Sequence, residues 1–230
     1  MSRVLGVIDC GTSSVRGSIA EATASGELIV LEELQRDVDL RHVFHEGRLR
    51  RSAMDAIVEV LGDIRAAFGA YQPEQLRAVA TSALRTATNT DVLLERIENA
   101  IALPIEVIDA EEEARLYYGG LQRCLADAEL SLQGDIVLAD LGSGATIVSH
   151  IRGRKLAHCV EEHFGTLRLL NDFRPLQDSI DFISALDRFA HGAAAMMVRR
   201  LHRLRRTNLA ITGDEVRCLA ASLGVVPQGR

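Results

Sequence analysis

The 230-residue chain has no excess of basic charge, no closely spaced cysteine pair and no apolar run of membrane length. Its 26 Lys and Arg residues are outnumbered by 32 Asp and Glu, for a net charge of -6. A protein that binds nucleic acid or a membrane surface as a whole needs a dominant basic footprint, so this balance argues against both classes. An anionic substrate would have to be held by local groups. The four cysteines, Cys10, Cys124, Cys159 and Cys218, stand far apart without a CxxC pair. That fits neither a disulfide framework nor a zinc knuckle and predicts reduced, mostly structural thiols. The seven histidines show no metal spacing either. Met1 is followed within two residues by a strand-like run, so no signal peptide is visible and the expectation is a soluble, cytoplasmic protein.

What is present is 47% hydrophobic residues, ample for one large domain or two small ones. The run Arg3 to Ile8 ends in Asp9-Cys10-Gly11-Thr12-Ser13-Ser14 and resumes at Val15 to Ala20, which reads as strand, tight turn, strand. A third strand is expected at Glu27 to Leu34. From Arg51 to about Ala70, Met54, Ile57, Val58, Leu61, Ile64 and Phe68 recur at helical spacing. A strand is expected at Leu76 to Thr81, a helix at Asp91 to Ala100 capped by Asn89 or Thr90, a strand at Ile105 to Ile108 and a helix at Ala110 to about Ala126. After a polar segment, Ile136 to Val148 repeats the opening with Asp140-Leu141-Gly142-Ser143-Gly144 at its turn, and a third strand follows at Lys155 to Val160. The domains are drawn at 1–128 and 129–230. Duplicated α/β units of this kind often hold ligands between their halves. A helical stretch Ser179 to Arg206 and a strand Asn208 to Ile211 follow, with Met196, Met197, Val198, Leu201 and Leu204 as a core-facing stripe. The basic residues of Met196 to Arg206 read as a solvated helix face, with a polyanion track as the rival use.

A turn of Gly, Ser and Thr between two strands gathers backbone N–H groups and hydroxyls in one concavity, which suits a phosphate. Asp9 and Asp140, each at a strand end, could orient a hydrated divalent cation. Asp-x-Gly is also ordinary hairpin chemistry; the matching position in two similar units is what points to phosphate. Arg85, after a strand and beside small polar residues, has the fork geometry for a phosphate, although a surface arginine is commonplace there. The triplet Glu111-Glu112-Glu113 opens a helix, where the dipole favours carboxylates whether or not they do chemistry.

Four ordered stretches together resemble the exopolyphosphatase and guanosine pentaphosphate phosphohydrolase family of the actin-like superfamily. "VIDCGTSSVRGSIAEA" is similar to its first phosphate loop, "VATSALRTATN" to its arginine motif, "IEVIDAEEEARLYYGGL" to its catalytic segment and "ADLGSGATIV" to its second phosphate loop. "FGTLRL" and "ITGDEVRCLA" are weaker downstream markers. The resemblance implies an α/β fold of duplicated actin-like (ribonuclease H-like) domains, mixed sheets flanked by helices, with the second domain truncated. It implies Glu113 as the catalytic base, with Glu112 and Arg115 in support. Gly11, Thr12, Ser13, Ser14, Arg16 and Arg85 would line one side of the phosphate site, and Gly142, Ser143, Gly144 and Thr146 the other. Mg²⁺ would be held by Asp140 and Asp9, with no organic cofactor. The expected activity is hydrolytic release of the terminal phosphate of inorganic polyphosphate or of guanosine pentaphosphate. A homodimer covering an incomplete sheet edge is expected, with no membrane and no specific nucleic acid as partners.

The chain departs from the pattern in places. Thr12-Ser13-Ser14 stands where the family commonly has Ser-Asn-Ser. Ser143 replaces a glycine, Ala145 a serine and Ile147 a frequent glutamate. Gly213-Asp214-Glu215 brings two carboxylates to a turn that is Gly-Thr-rich in the family, where they would repel a polyanion. These changes support an alternative: a weak or inactive relative that binds polyphosphate or an alarmone as a sensor. An actin-like kinase or ATPase is a third reading, disfavoured by the same altered turn.

Overall fold

The first apolar run forms strand β1 (Arg3–Cys10), whose alternation buries Gly6, Ile8 and Cys10 and leaves Val7 exposed. The period of two is the signature of a strand with one covered face. The computed structural model describes residues 2–130, 132, 134–201 and 207–224. They fall into two units, dividing between Asp109 and Ala110.

In the first unit, β1 pairs antiparallel with β2 (Ser14–Ala22), and β2 with β3 (Leu28–Asp37). On its other side β1 runs parallel to β4 (Gln75–Ala80), and β4 to β5 (Ile105–Val107), giving the order β3-β2-β1-β4-β5. The short helix α1 (Val43–Glu46) precedes α2 (Arg51–Gly69), which contributes Ile57, Leu61, Ile64 and Phe68 to a core shared with Ile8, Val15 and Ile19. Helix α3 (Ser82–Thr86) and α4 (Thr90–Ile101) complete the unit, with Leu93 and Ile97 buried. Asn89 precedes α4 but makes no side-chain capping bond. Its amide is used on Leu49, accepting from the Leu49 N–H at 2.7 Å and donating to the Leu49 carbonyl at 3.0 Å.

The second unit begins with α5 (Ala110–Asp127), which packs on its own strands β6 (Asp135–Leu141), β7 (Thr146–Arg152) and β8 (Lys155–Glu162). The expected division at 128/129 thus moves upstream, because the helix buries its face on the second sheet. That sheet has the order β8-β7-β6-β9, with β9 (Thr207–Thr212) parallel to β6 and the other pairs antiparallel. Strand for strand it repeats β3-β2-β1-β4, so the duplication read from the two turns holds at the level of topology.

Helices α6 (Thr166–Asp172), α7 (Phe182–Arg200) and α8 (Asp214–Ser222) accompany this sheet, with a 3₁₀ turn at Arg174–Leu176. Met197 and Leu201 join Val137 and Val148 in its core, and Phe189 packs edge-on against Phe164 at 5.4 Å. Val198, expected on the buried stripe, is exposed. Leu204 and the basic residues Arg203, Arg205 and Arg206 lie outside the described residues. No described helix is long and apolar enough to cross a membrane.

Candidate active site

The first loop follows from the hairpin of β1 and β2. The Gly11 N–H donates to the Ser14 carbonyl at 3.0 Å and closes the turn. Two residues beyond the end of β3 then tie it down: the Val38 N–H donates to the Ser13 carbonyl at 3.0 Å and the Leu40 N–H to the Thr12 carbonyl at 3.1 Å. These bonds place on protein donors the carbonyl oxygens that would otherwise repel an anion. Thr12 is buried with its hydroxyl 3.4 Å from that of Ser82, at the start of α3. The loop and the arginine motif are therefore joined directly.

The second loop is built the same way. The Gly142 N–H donates to the Ala145 carbonyl at 3.0 Å, and the residues after β8 hold the turn, with Thr166 N–H on the Gly142 carbonyl at 3.2 Å and Leu167 N–H on the Ser143 carbonyl at 3.1 Å. Gly165 makes this approach feasible, since a Cβ there would stand 2.4 Å from the Gly142 oxygen. Thr146 donates its hydroxyl proton to the Phe164 carbonyl at 2.8 Å. In this arrangement the hydroxyl fastens the loop to the segment after β8. Gly213 closes the far side, with φ +126° and a position at which a Cβ would meet the Leu141 oxygen at 2.3 Å. The side chains of Asp214 and Glu215, expected to repel a polyanion, lie outside what is described.

The two loops differ in chemistry. Where the first has Ser14 and Arg16, the second has Ala145 and Ile147, both buried and apolar. The first loop thus supplies charged and hydroxyl side chains, and the second chiefly backbone.

Arg85 lies on α3 and donates from Nη1 to the Ile108 carbonyl at 2.7 Å, which braces the chain just ahead of α5. On α5 the three glutamates separate. Arg115 reaches back to Glu111 at 3.2 Å and to Glu112 at 3.5 Å, with side chains that are 64% and 36% exposed. Glu113 is 9% exposed, beside the buried Ala114. Helical geometry turns successive residues by about 100°, so of three adjacent carboxylates only one points into the protein. A buried carboxylate is costly unless its surroundings use it.

Asp9 also stands out. It sits on β1 between Arg16 of β2 and Val79 of β4 in the register of the sheet. Its Oδ1 is buried and has no hydrogen-bond partner among the described residues. Burial pushes its carboxyl above the ordinary range, and Arg16 partly offsets this. An orphaned carboxylate oxygen fits a hydrated Mg²⁺, which takes one or two carboxylates and completes its shell with water and phosphate oxygens. Asp140, the counterpart on β6, is buried as well. No group of three or more His, Cys, Asp or Glu that could hold a metal exists among the described residues. Cys10 is buried, its thiol pushed up to about 12 by burial and then by Asp9, so it is a structural residue.

The bonds from Val38, Leu40, Thr166 and Leu167 were not anticipated from sequence. Only Gly165-Thr166, inside the FGTLRL stretch, offered a signal.

Residues 18–224 match the model of the Ppx/GppA phosphatase family. Among solved structures, the Aquifex aeolicus Ppx/GppA family member is 24% identical with a TM-score of 0.78, over 100% of this chain and 72% of that one. An exopolyphosphatase from Cytophaga hutchinsonii gives 22% identity and a TM-score of 0.83, over 96% of this chain and 70% of that one. The fold extends to the ethanolamine utilization protein EutJ from Carboxydothermus hydrogenoformans, at 12% identity and a TM-score of 0.55, over 98% and 80% of the two chains. These likenesses place the fold in the duplicated actin-like class, and with the family model spanning nearly the whole sequence the chain belongs to the Ppx/GppA phosphatase family.

Proposed function

We propose that this protein is a phosphoanhydride hydrolase that releases the terminal phosphate of inorganic polyphosphate or guanosine pentaphosphate by attack of water. The observation that carries the reading is Glu113, the one carboxylate of its triplet turned inward, in the first turn of α5. A base in that position orients and deprotonates the water. The first loop, with Ser13, Ser14 and Arg16, and the braced Arg85 supply donors for phosphate oxygens, whose charge must be absorbed as the bond breaks. Gly142, Ser143 and Gly144 offer a second turn of the same build. Asp9, with Asp140 as its counterpart, would hold Mg²⁺ through one carboxylate, and the ion when bound would neutralise phosphate charge.

A second reading, a binder with little turnover, draws on Ala145 and Ile147, which remove polar groups from the second loop. One experiment separates the two: phosphate release with Mg²⁺ from long-chain polyphosphate, guanosine pentaphosphate and ATP in parallel, for the intact protein and Glu113→Gln. Release that collapses in the variant supports the hydrolase and identifies its substrate. Binding without release from any of them leaves the sensor, and tight ATP binding with turnover revives an ATPase.

A further inference from the structure

Residues 38–51 are rich in arginine in a chain whose net charge is -6. Arg41, Arg48, Arg50 and Arg51 stand there against Asp39 and Glu46. Two of the four are neutralised locally. Arg41 pairs with Asp39, Nη2 to Oδ2 at 2.6 Å, and Arg50 pairs with Glu46, the last residue of α1. Arg48 and Arg51 are exposed, and neither has a carboxylate within ion-pair distance among the described residues. Arg48 adds only a lesser attraction to Glu46, behind that of Arg50, and Arg51 stands at the start of α2, where the helix dipole favours a carboxylate.

Their backbone is held rigidly to both phosphate-site motifs of the first unit. At one end, Val38 and Leu40 donate to the carbonyls of Ser13 and Thr12. At the other, the Thr88 N–H donates to the Gly47 carbonyl at 2.9 Å, and Asn89 makes both of its bonds to Leu49. Leu40, Val43 and Leu49 are buried between these ties. Arg48 lies between two residues bonded to the segment that follows Arg85, and Arg51 opens α2 immediately beyond. Phe44 of this segment packs against the core. Guanidinium groups held in no ion pair suit a string of phosphates.

We propose that Arg48 and Arg51 form a rim that binds the trailing phosphates of a linear inorganic polyphosphate whose terminal phosphate occupies the first loop. This rests on the hydrolase reading above and names the substrate class that the rim selects. A substrate long enough to reach the rim gains two charge-assisted contacts, and a short one gains none.

The test compares long-chain polyphosphate with tripolyphosphate in phosphate release under Mg²⁺, for the intact protein, Arg48→Gln/Arg51→Gln, and Arg188→Gln on α7 as a charge control. Binding of the long chain is measured alongside by equilibrium dialysis. The expected result is a KM for the long chain raised roughly tenfold or more in the double variant, as charge-assisted hydrogen bonds to phosphate imply. Its salt dependence should be shallower, with kcat and the tripolyphosphate KM unchanged. An equal change for both substrates, or none, overturns the rim. If the intact protein binds the long chain without releasing phosphate, the hydrolase reading fails; the rim then stands if the double variant loses that binding, and falls if it does not.

Discussion

Asp9 stands opposite Arg16 in the β1–β2 register, yet its Oδ1 is buried without a hydrogen-bond donor among the described residues. Burial raises the folded-state pKa of this carboxyl, with Arg16 opposing. A carboxyl raised on folding prefers to be protonated in the native state. Its contribution is therefore fully present below the ordinary carboxylate pKa and is lost as pH rises through the folded value. In a chelator, Asp9→Asn should be more stable than the parent at neutral pH, and the gap should close as pH falls into the carboxylate range. Thermal midpoints of both proteins between acid and neutral pH check this; a pH-independent gap would refute it. Added Mg²⁺ should raise the midpoint of the parent and leave Asp9→Asn unmoved, because a ligand that binds only the native state stabilises it.

The glutamate triplet predicts three unequal mutants. Glu113→Gln keeps the shape of a buried side chain and removes its basicity, so phosphate release should fall roughly 10²–10⁴-fold, the usual worth of a general base. Glu111→Gln alters an exposed residue paired with Arg115, a contact worth at most about 1 kcal/mol, and should leave release near the parent value. Glu112→Gln, half-buried on the same arginine, should fall between them. A release rate lost equally in all three would mean that the helix start was disturbed rather than a base removed.

The duplication was legible because it is local. A strand with a period of two, an Asp-x-Gly turn and a second strand announce themselves within about fifteen residues, and β1–β2 and β6–β7 appear where that pattern stands. The resemblance of its segment pointed to Glu113, and the structure adds that burial distinguishes it from Glu111 and Glu112. The ties that hold the loops were not legible. They run from backbone N–H groups of Val38, Leu40, Thr166 and Leu167, and a backbone donor has no residue code. The placement of α5 was hidden for a related reason: periodicity shows that a helix has an apolar face, not which sheet receives it. Asn89 misled in detail, since a residue before a helix reads as a cap while its amide here serves Leu49.

Gly165 makes the second loop sensitive to a single methyl group. Gly165→Ala would set a carbon 2.4 Å from the Gly142 oxygen and from the Ser143 carbonyl carbon, both of them backbone. No rotamer relieves such a contact, so the loop must shift, at a cost of about 1–3 kcal/mol. Gly119→Ala on α5 has no atom within 4 Å of the new carbon and should stabilise by about 0.5–1 kcal/mol through helix propensity. Urea midpoints of the two variants should move in opposite directions, and a Gly165→Ala protein as stable as the parent would show that the loop has more room than these distances allow.

Two threonines of the second sheet predict opposite responses to one chemical change. Thr146 donates its hydroxyl to the Phe164 carbonyl at 2.8 Å, in a buried setting. Thr207 on β9 has a buried Oγ1 with no partner among the described residues. Valine matches threonine in shape and β-branching, so strand propensity and packing are nearly held constant. Thr146→Val loses a hydrogen bond and leaves a carbonyl unsatisfied, which should cost about 1–3 kcal/mol. Thr207→Val removes a hydroxyl that gave up its water on folding and gained no partner, so it should stabilise by about 1 kcal/mol. Denaturant midpoints for the two variants test the pair. If Thr207→Val is destabilising, the Thr207 hydroxyl is hydrogen-bonded in solution, and an ordered water at the Asp135 end of the β6–β9 ladder is the partner to seek, because Thr207 stands opposite Asp135 in that register.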